Sequence, residues 1–232
     1  MKAMILAAGV GERMRPLTDT TPKPLLEVAG LPLIEHHLVR LKKAGCKQAV
    51  INVSHLGEQI EQFCGGGERW GISIDFSREP EPLETAGGIL QALPLLGDEP
   101  FLIVNGDVWT DVPFAALLRY SLKDNESAHL VFVDNPPQHP LGDFKLTSSG
   151  YVEVLEAGQR GVTYAGVGIY SAPFFAGSQP GKLALRPLLD AAILQGTLGG
   201  RLHDGAWEDV GTPDRLAQLN EQLEAANEVV GN

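Results

Sequence analysis

Apolar positions follow two rhythms along the first half of the chain. Short runs at Met4–Ala7, Ala49–Val53 and Phe101–Val104, and an alternating stretch at Ile72–Phe76, read as strands. Between them come longer stretches with helical spacing: Leu33 to Ala44 places Ile34, Leu38 and Leu41 at i, i+4 and i+7, with Pro32 at its start and Gly45 at its end. Leu56–Cys64, closed by Gly65-Gly66-Gly67, and Thr85–Leu93 read as two further helices. This alternation calls for a Rossmann-like α/β fold: a mixed, mainly parallel sheet with helices on both faces.

After about Asp134 the pattern loosens. Pro136, Pro137 and Pro140 mark a turn-rich crossing, followed by short strands at Phe144–Leu146, Val152–Leu155 and Thr163–Tyr170. A helix at Leu185–Leu194, a short strand near Trp207 and a last helix from about Pro213 to Ala226 complete the reading. The expectation is one domain, 1–232, of two lobes, a core to about 133 and a smaller α+β extension on the same sheet.

Composition adds constraints. Of 232 residues, 18 are Lys or Arg and 29 Asp or Glu, for a net charge of −11. Such a surface repels nucleic acid and anionic membranes, so an anionic ligand must be met by a few placed cations. Only Cys46 and Cys64 occur, without a paired framework, as in a reducing cytoplasm. No run approaches the ~18 apolar residues of a membrane span. The opening MKAMILAAG is too short for a signal peptide and reads as a buried first strand, so a cytoplasmic location is expected.

The densest chemistry lies in LAAGVGERMRPLTDTTPKPL, residues 6–25. A dinucleotide fingerprint fails, because Met14 stands where a third glycine is needed and Pro16, Pro22 and Pro24 forbid an immediate helix. No Walker Gly-Lys-Ser/Thr follows. What remains is a glycine-opened loop carrying Arg13, Arg15 and Lys23, whose N–H groups at Gly9–Arg13 suit phosphate oxygens. Asp107, in Asn-Gly-Asp, follows a buried strand, and Asp209, in Trp-Glu-Asp-Val-Gly-Thr-Pro, lies on a short apolar strand, on the same face as Trp207. Read alone, each is as well explained by an Asx turn or a solvated edge. A phosphate loop beside two carboxylates, however, meets the needs of Mg²⁺, which takes one or two carboxylates plus substrate phosphates. Asp111 and Asp143 are second choices. Six scattered histidines form no metal motif, and no Gly-x-Ser-x-Gly elbow is present.

Gly-x-Gly-x-Arg-x-Arg-Pro-Leu-Thr followed by Thr-Pro-Lys-Pro-Leu resembles the sugar-1-phosphate nucleotidylyltransferases, and the likeness runs from Met1 to about Asn220. The resemblance implies a fold of the nucleotide-diphospho-sugar transferase type, with a nucleotide-binding core at about 1–133 and a sugar-binding lobe and C-terminal helix at about 134–232, and transfer of a nucleoside monophosphate, UMP from UTP in the first instance, onto a sugar 1-phosphate. Mannose 1-phosphate with GTP is the second choice, and a non-catalytic regulatory subunit a remote one. It implies catalytic roles for Arg13, Lys23, Asp107 and Asp209, with the two acids as the Mg²⁺ ligands. Arg13 and Lys23 correspond to the phosphate-binding cations, and Arg13 to the group that stabilises leaving pyrophosphate. The nucleotide is expected against Ala8, Gly9, Gly11, Glu12, Arg13, Lys23, Glu79, Thr85 and Gly87, with Glu79 near a base-reading glutamine and Glu84 in place of a usual glycine. The sugar phosphate is expected against Asn105, Gly142, Asp143, Glu156 and Ala165. The family's Glu-Lys-Pro here reads Glu156-Ala157-Gly158, which leaves Lys145 or Arg160 as weak options for the missing lysine. A C-terminal acyltransferase β-helix, carried by bifunctional relatives, is not expected.

Overall fold

The computed structural model describes residues 1–230, with side chains to Ala226. In chain order the elements are β1 (Ala3–Leu6), the hairpin β2 (Glu27–Val28) and β3 (Leu31–Pro32), α1 (Leu33–Lys43), β4 (Gln48–Val53), α2 (Gly57–Cys64) and β5 (Ser73–Arg78). Next come α3 (Glu84–Leu96), β6 (Phe101–Asn105), β7 (Val108–Thr110), α4 (Phe114–Leu118) and β8 (Ala128–Val133). The remainder is β9 (Phe144–Leu146), β10 (Val152–Val154), β11 (Thr163–Tyr170), α5 (Arg186–Leu194), β12 (Leu198–Leu202), β13 (Trp207–Asp209) and α6 (Pro213–Val230).

Seven strands form one sheet in the order β12-β8-β11-β6-β1-β4-β5. β6, β1, β4 and β5 pair in parallel, as do β12 and β8, while β11 runs antiparallel between β6 and β8. The expected mixed, mainly parallel sheet is therefore what forms. β1 lies between β4 and β6 and is buried on both faces, which explains its unbroken apolar run. One core layer joins Ile34, Leu38, Ile51 and Val104 on the α1 face, and another joins Met4, Ile89, Ile103 and Phe132 on the α3 face.

Several elements escaped the sequence pattern. β8 is six consecutive buried residues, AHLVFV, with no alternation to mark it. β12 carries Gly199 and Gly200, where a Cβ would collide with the Glu126 carboxylate and the Phe132 ring, so close packing conceals its strand character. α3 continues through Pro94 to Leu96, because Leu96 is buried in the core and the lost hydrogen bond falls in the final turn. It also begins at Glu84, so Thr85 is not its cap. Among the described residues, no helix is long and apolar enough to cross a membrane.

Candidate active site

The carboxyl ends of β1, β4 and β6 open into a cleft, as expected of a parallel sheet. Asn105 and Asp107, at and just past the end of β6, form its floor. β7 and β13 then pair antiparallel, with Val108 opposite Asp209, and the Val210 N–H donates to the Asp107 carbonyl at 3.0 Å. Two acids about a hundred positions apart in sequence thereby become neighbours. Both line one cavity of about 360 Å³ together with Arg13. Sequence spacing alone does not produce this juxtaposition; the short β7–β13 ribbon does.

Each acid is held by a cation. Lys23 Nζ donates to Asp107 Oδ2 at 2.8 Å, and Arg215 Nη1 donates to Asp209 Oδ2 at 2.6 Å. Oδ1 of both carboxylates has no hydrogen-bond partner among the described residues. Two hard oxygen donors with no thiolate or imidazole between them fit Mg²⁺, which completes its shell with phosphate and water. No cluster of three or more His, Cys, Asp or Glu side chains placed to hold a metal exists among the described residues. Asp111, a second choice, is instead bonded to His203.

A neighbouring cavity of about 210 Å³ is lined by Ala8, Gly9, Lys23, Glu79, Thr85 and Asp107, among others. The N–H groups of Ala8, Gly9, Val10 and Gly11 donate to no protein acceptor among the described residues, which leaves them available to oxygens in the cleft. Gly11 has φ 71°, a left-handed turn that lets the loop fold back, and Thr18 Oγ1 donates to its carbonyl at 2.8 Å. Glu12 lies on the exposed side of that loop.

Glu79 lines this cavity yet is only 5% exposed, and both its oxygens are engaged. Oε1 accepts from Asn52 Nδ2 at 2.7 Å and Oε2 from the Leu83 N–H at 2.9 Å. Asn52 Oδ1 in turn accepts from the Ala7 N–H at 2.8 Å. The phosphate loop, the end of β4 and the segment before α3 are thus joined by one buried chain of bonds. Asn52 was not singled out from sequence; the signal was a polar residue at the closing end of an otherwise apolar strand.

Gly87 does not reach the cleft. Its N–H donates to the Leu183 carbonyl at 3.0 Å, and a Cβ there would collide with the Gly181 carbonyl, so the glycine serves helix-to-loop packing. Glu84 adopts φ 61°, the left-handed region natural to a glycine.

On the other side, Asn105, Asp143 and Tyr164 line both the acid cavity and a further one of about 540 Å³. Asn105 lines all three cavities and is their hub. Gly166, at φ 70° in the bulge of β11, lets the Asn105 side chain lie against it; a Cβ would sit 2.7 Å from Asn105 Cγ. Asp143 accepts from the Tyr164 N–H at 2.9 Å and bonds His139 at 3.0 Å. Gly142, φ 75°, turns the preceding loop. Ala165 is fully buried, and its carbonyl accepts from the Trp207 indole at 2.9 Å, so its flanking residues Tyr164 and Gly166 face the cavity instead. Glu156 is exposed in an outer turn, bonded to Gln159, and lines none of the three cavities. It is not brought to the site.

A parallel-sheet protein that gathers an arginine, a lysine and two acids around one cleft is built for phosphate chemistry on small molecules. Comparison with known proteins narrows that class: the chain belongs to the nucleotidyl transferase family, whose model matches residues 2–226. It is 54% identical to an N-acetylmuramate alpha-1-phosphate uridylyltransferase of Neisseria meningitidis serogroup B, over 94% of this chain and 96% of the relative. A protein of the same description from Caulobacter vibrioides is 35% identical over 97% of both. The catalytic subunit beta of a mannose-1-phosphate guanylyltransferase from Danio rerio is 33% identical, over 92% of this chain and 62% of that one. Among solved structures, HddC from Yersinia pseudotuberculosis complexed with GMP-PN shares the fold at TM-score 0.78 and 21% identity, covering 96% of this chain and 99% of that one.

Proposed function

We propose that this protein transfers UMP from UTP to N-acetylmuramic acid α-1-phosphate, releasing pyrophosphate, in the cytoplasm where UTP is made. The observation that carries the reading is the juxtaposition of Asp107 and Asp209 where β7 pairs with β13, in a cavity shared with Arg13 and contiguous with a larger one. The two full-length relatives described as N-acetylmuramate alpha-1-phosphate uridylyltransferases support the substrate pair.

A phosphate oxygen of the sugar 1-phosphate attacks the α-phosphorus of UTP; the bond from that phosphorus to the bridging β-phosphate oxygen breaks, and pyrophosphate leaves with the electron pair. The nucleophile is already an anion, so positioning and charge neutralisation carry the catalysis. The free N–H groups of residues 8–11 hold the triphosphate, and Arg13 stabilises charge growing on pyrophosphate. Lys23, whose Nζ donates to Asp107 Oδ2 at 2.8 Å at the edge of the nucleotide cavity, supplies the positive charge for the α-phosphate. Asp107 and Asp209 would hold Mg²⁺, which when bound neutralises phosphate charge and reduces repulsion between the two substrates. Glu79 fixes the base-side segment through Leu83, and Asn105 separates the nucleotide side from the sugar side. The two lobes are read as one domain, a reading supported by β11 and β12 of the sugar side sharing a sheet with β8 and β1 of the core.

The test is pyrophosphate release by wild type and Asp107→Asn over a grid of sugar 1-phosphates and nucleoside triphosphates, mannose 1-phosphate with GTP included. The wild type should prefer UTP with N-acetylmuramic acid α-1-phosphate, and Asp107→Asn should lose roughly 10²–10³ in rate at saturating Mg²⁺. Near-wild-type turnover by the variant would refute the assignment of the acids.

A further inference from the structure

The cavity beyond Asn105 has a charge pattern that the transfer chemistry does not explain. Its acidic lining residues are Glu84 and Asp143, and its apolar wall is Phe144, Leu185 and Leu189. Among the described residues that line it, Arg186 is the one cation. Arg186 opens α5, its guanidinium carbon stands 4.5 Å from the Phe144 ring centroid, and its Nε donates to Asp190 Oδ1 at 2.8 Å. These two contacts fix the plane of the group while leaving both terminal nitrogens without a hydrogen-bond partner among the described residues. A planar, oriented fork with two open N–H faces is the geometry that meets a carboxylate with two parallel bonds.

N-acetylmuramic acid differs from N-acetylglucosamine by a lactyl ether that carries a carboxylate. With its phosphate at the acid pair and its ring beside Asn105 and Tyr164, the sugar projects its distal substituents into this second cavity. There an unescorted carboxylate would face Glu84 and Asp143. We propose that Arg186 is the specificity-determining residue that binds the lactyl carboxylate, with the Phe144–Leu189 wall taking the apolar parts of the substituents. The inference rests on the proposed substrate and adds the group that selects it. Other cations near the site have different duties: Lys23 and Arg215 hold the acids, and Lys182 pairs with Glu81 at 3.2 Å outside this cavity.

The experiment compares wild type, Arg186→Met and Arg186→Lys with N-acetylmuramic acid α-1-phosphate and N-acetylglucosamine α-1-phosphate at saturating UTP. Methionine keeps an apolar stem over Phe144 and removes the charge; lysine keeps the charge and removes the fork. Loss of a charge-assisted bond predicts a KM for the lactyl sugar raised about 10–100-fold in Arg186→Met, with kcat and the KM for UTP nearly unchanged. Arg186→Lys should fall between. The KM for N-acetylglucosamine α-1-phosphate should stay within about twofold, so discrimination between the sugars collapses. Equal losses on both sugars, or none on either, would overturn the assignment. If Arg186→Met does not fold, Arg186→Gln supplies the neutral side chain and the same two outcomes apply. A wild type inactive on N-acetylmuramic acid α-1-phosphate overturns the proposed substrate and this inference together; a wild type active on it, with unaltered variants, overturns this inference alone.

Discussion

Replacing Asn52 by alanine should damage stability and nucleotide binding at once. The side chain is 3% exposed and spans two groups, accepting from the Ala7 N–H and donating to Glu79 Oε1. Alanine strands a buried donor and a buried carboxylate oxygen. A stranded neutral group costs about 1–3 kcal/mol and a charged one more, with water from the adjoining cleft recovering part, so the loss should be about 3 kcal/mol. For a chain of this size that corresponds to a fall of roughly 6–12 °C in Tm. Urea unfolding should show a lower midpoint with an unchanged slope. The KM for UTP should rise, because Ala7 leads into the loop that holds the triphosphate and Glu79 anchors Leu83 before α3. A double-mutant cycle with Glu79→Ala should give a coupling of at least about 1 kcal/mol, since both residues belong to one network. A stability within about 0.5 kcal/mol of wild type, or strictly additive losses, would show that the bonds through Asn52 do not carry the linkage argued here.

Other consequences follow from individual residues. Burial, then the neighbouring His36 and Arg40, lowers the pKa of His37 to about 4, and neither ring nitrogen has a hydrogen-bond partner among the described residues. Because the unfolded chain takes up this proton first, stability should fall as pH drops from about 6.5 towards 4, by up to about 3 kcal/mol; His37→Leu should flatten that slope in pH-dependent unfolding. Glu84→Gly removes a side chain from a left-handed residue and should raise Tm by roughly 2–4 °C, which differential scanning calorimetry would read; an unchanged Tm would mean that the local contacts of Glu84 offset its strain. Gly87→Ala should cost about 1–3 kcal/mol in urea unfolding without nucleotide, because its Cβ meets the backbone near Gly181. No loss in the free protein would return Gly87 to a role in binding nucleotide.

Much of the molecule was legible along the chain. Continuous apolar runs specify β1, β4 and β6, alternation specifies the edge strand β5, and helical spacing specifies the helices between them, since burial on both faces demands continuous hydrophobicity and an amphipathic helix demands a stripe. The glycine-opened loop with Arg13 and Lys23, and the acids at two strand ends, were visible because phosphate and magnesium need those residue types whatever the fold. Other features had no local signature. β12 is hidden by glycines that its neighbours Glu126 and Phe132 require. Glu79 and Gly87 look alike as parts of a base-side segment, yet one is clamped by Asn52 at the cleft and the other is packed away from it. Glu156, placed by resemblance alone, stays in an outer turn. The meeting of Asp107 with Asp209, and of Arg186 with the Phe144 ring, depends on how the β7–β13 ribbon pairs and where α5 docks. Residue type and periodicity are properties of neighbours along the chain. Which side chains share a cavity is set by long-range pairing and packing, whose free energy belongs to the whole fold and to no segment of it.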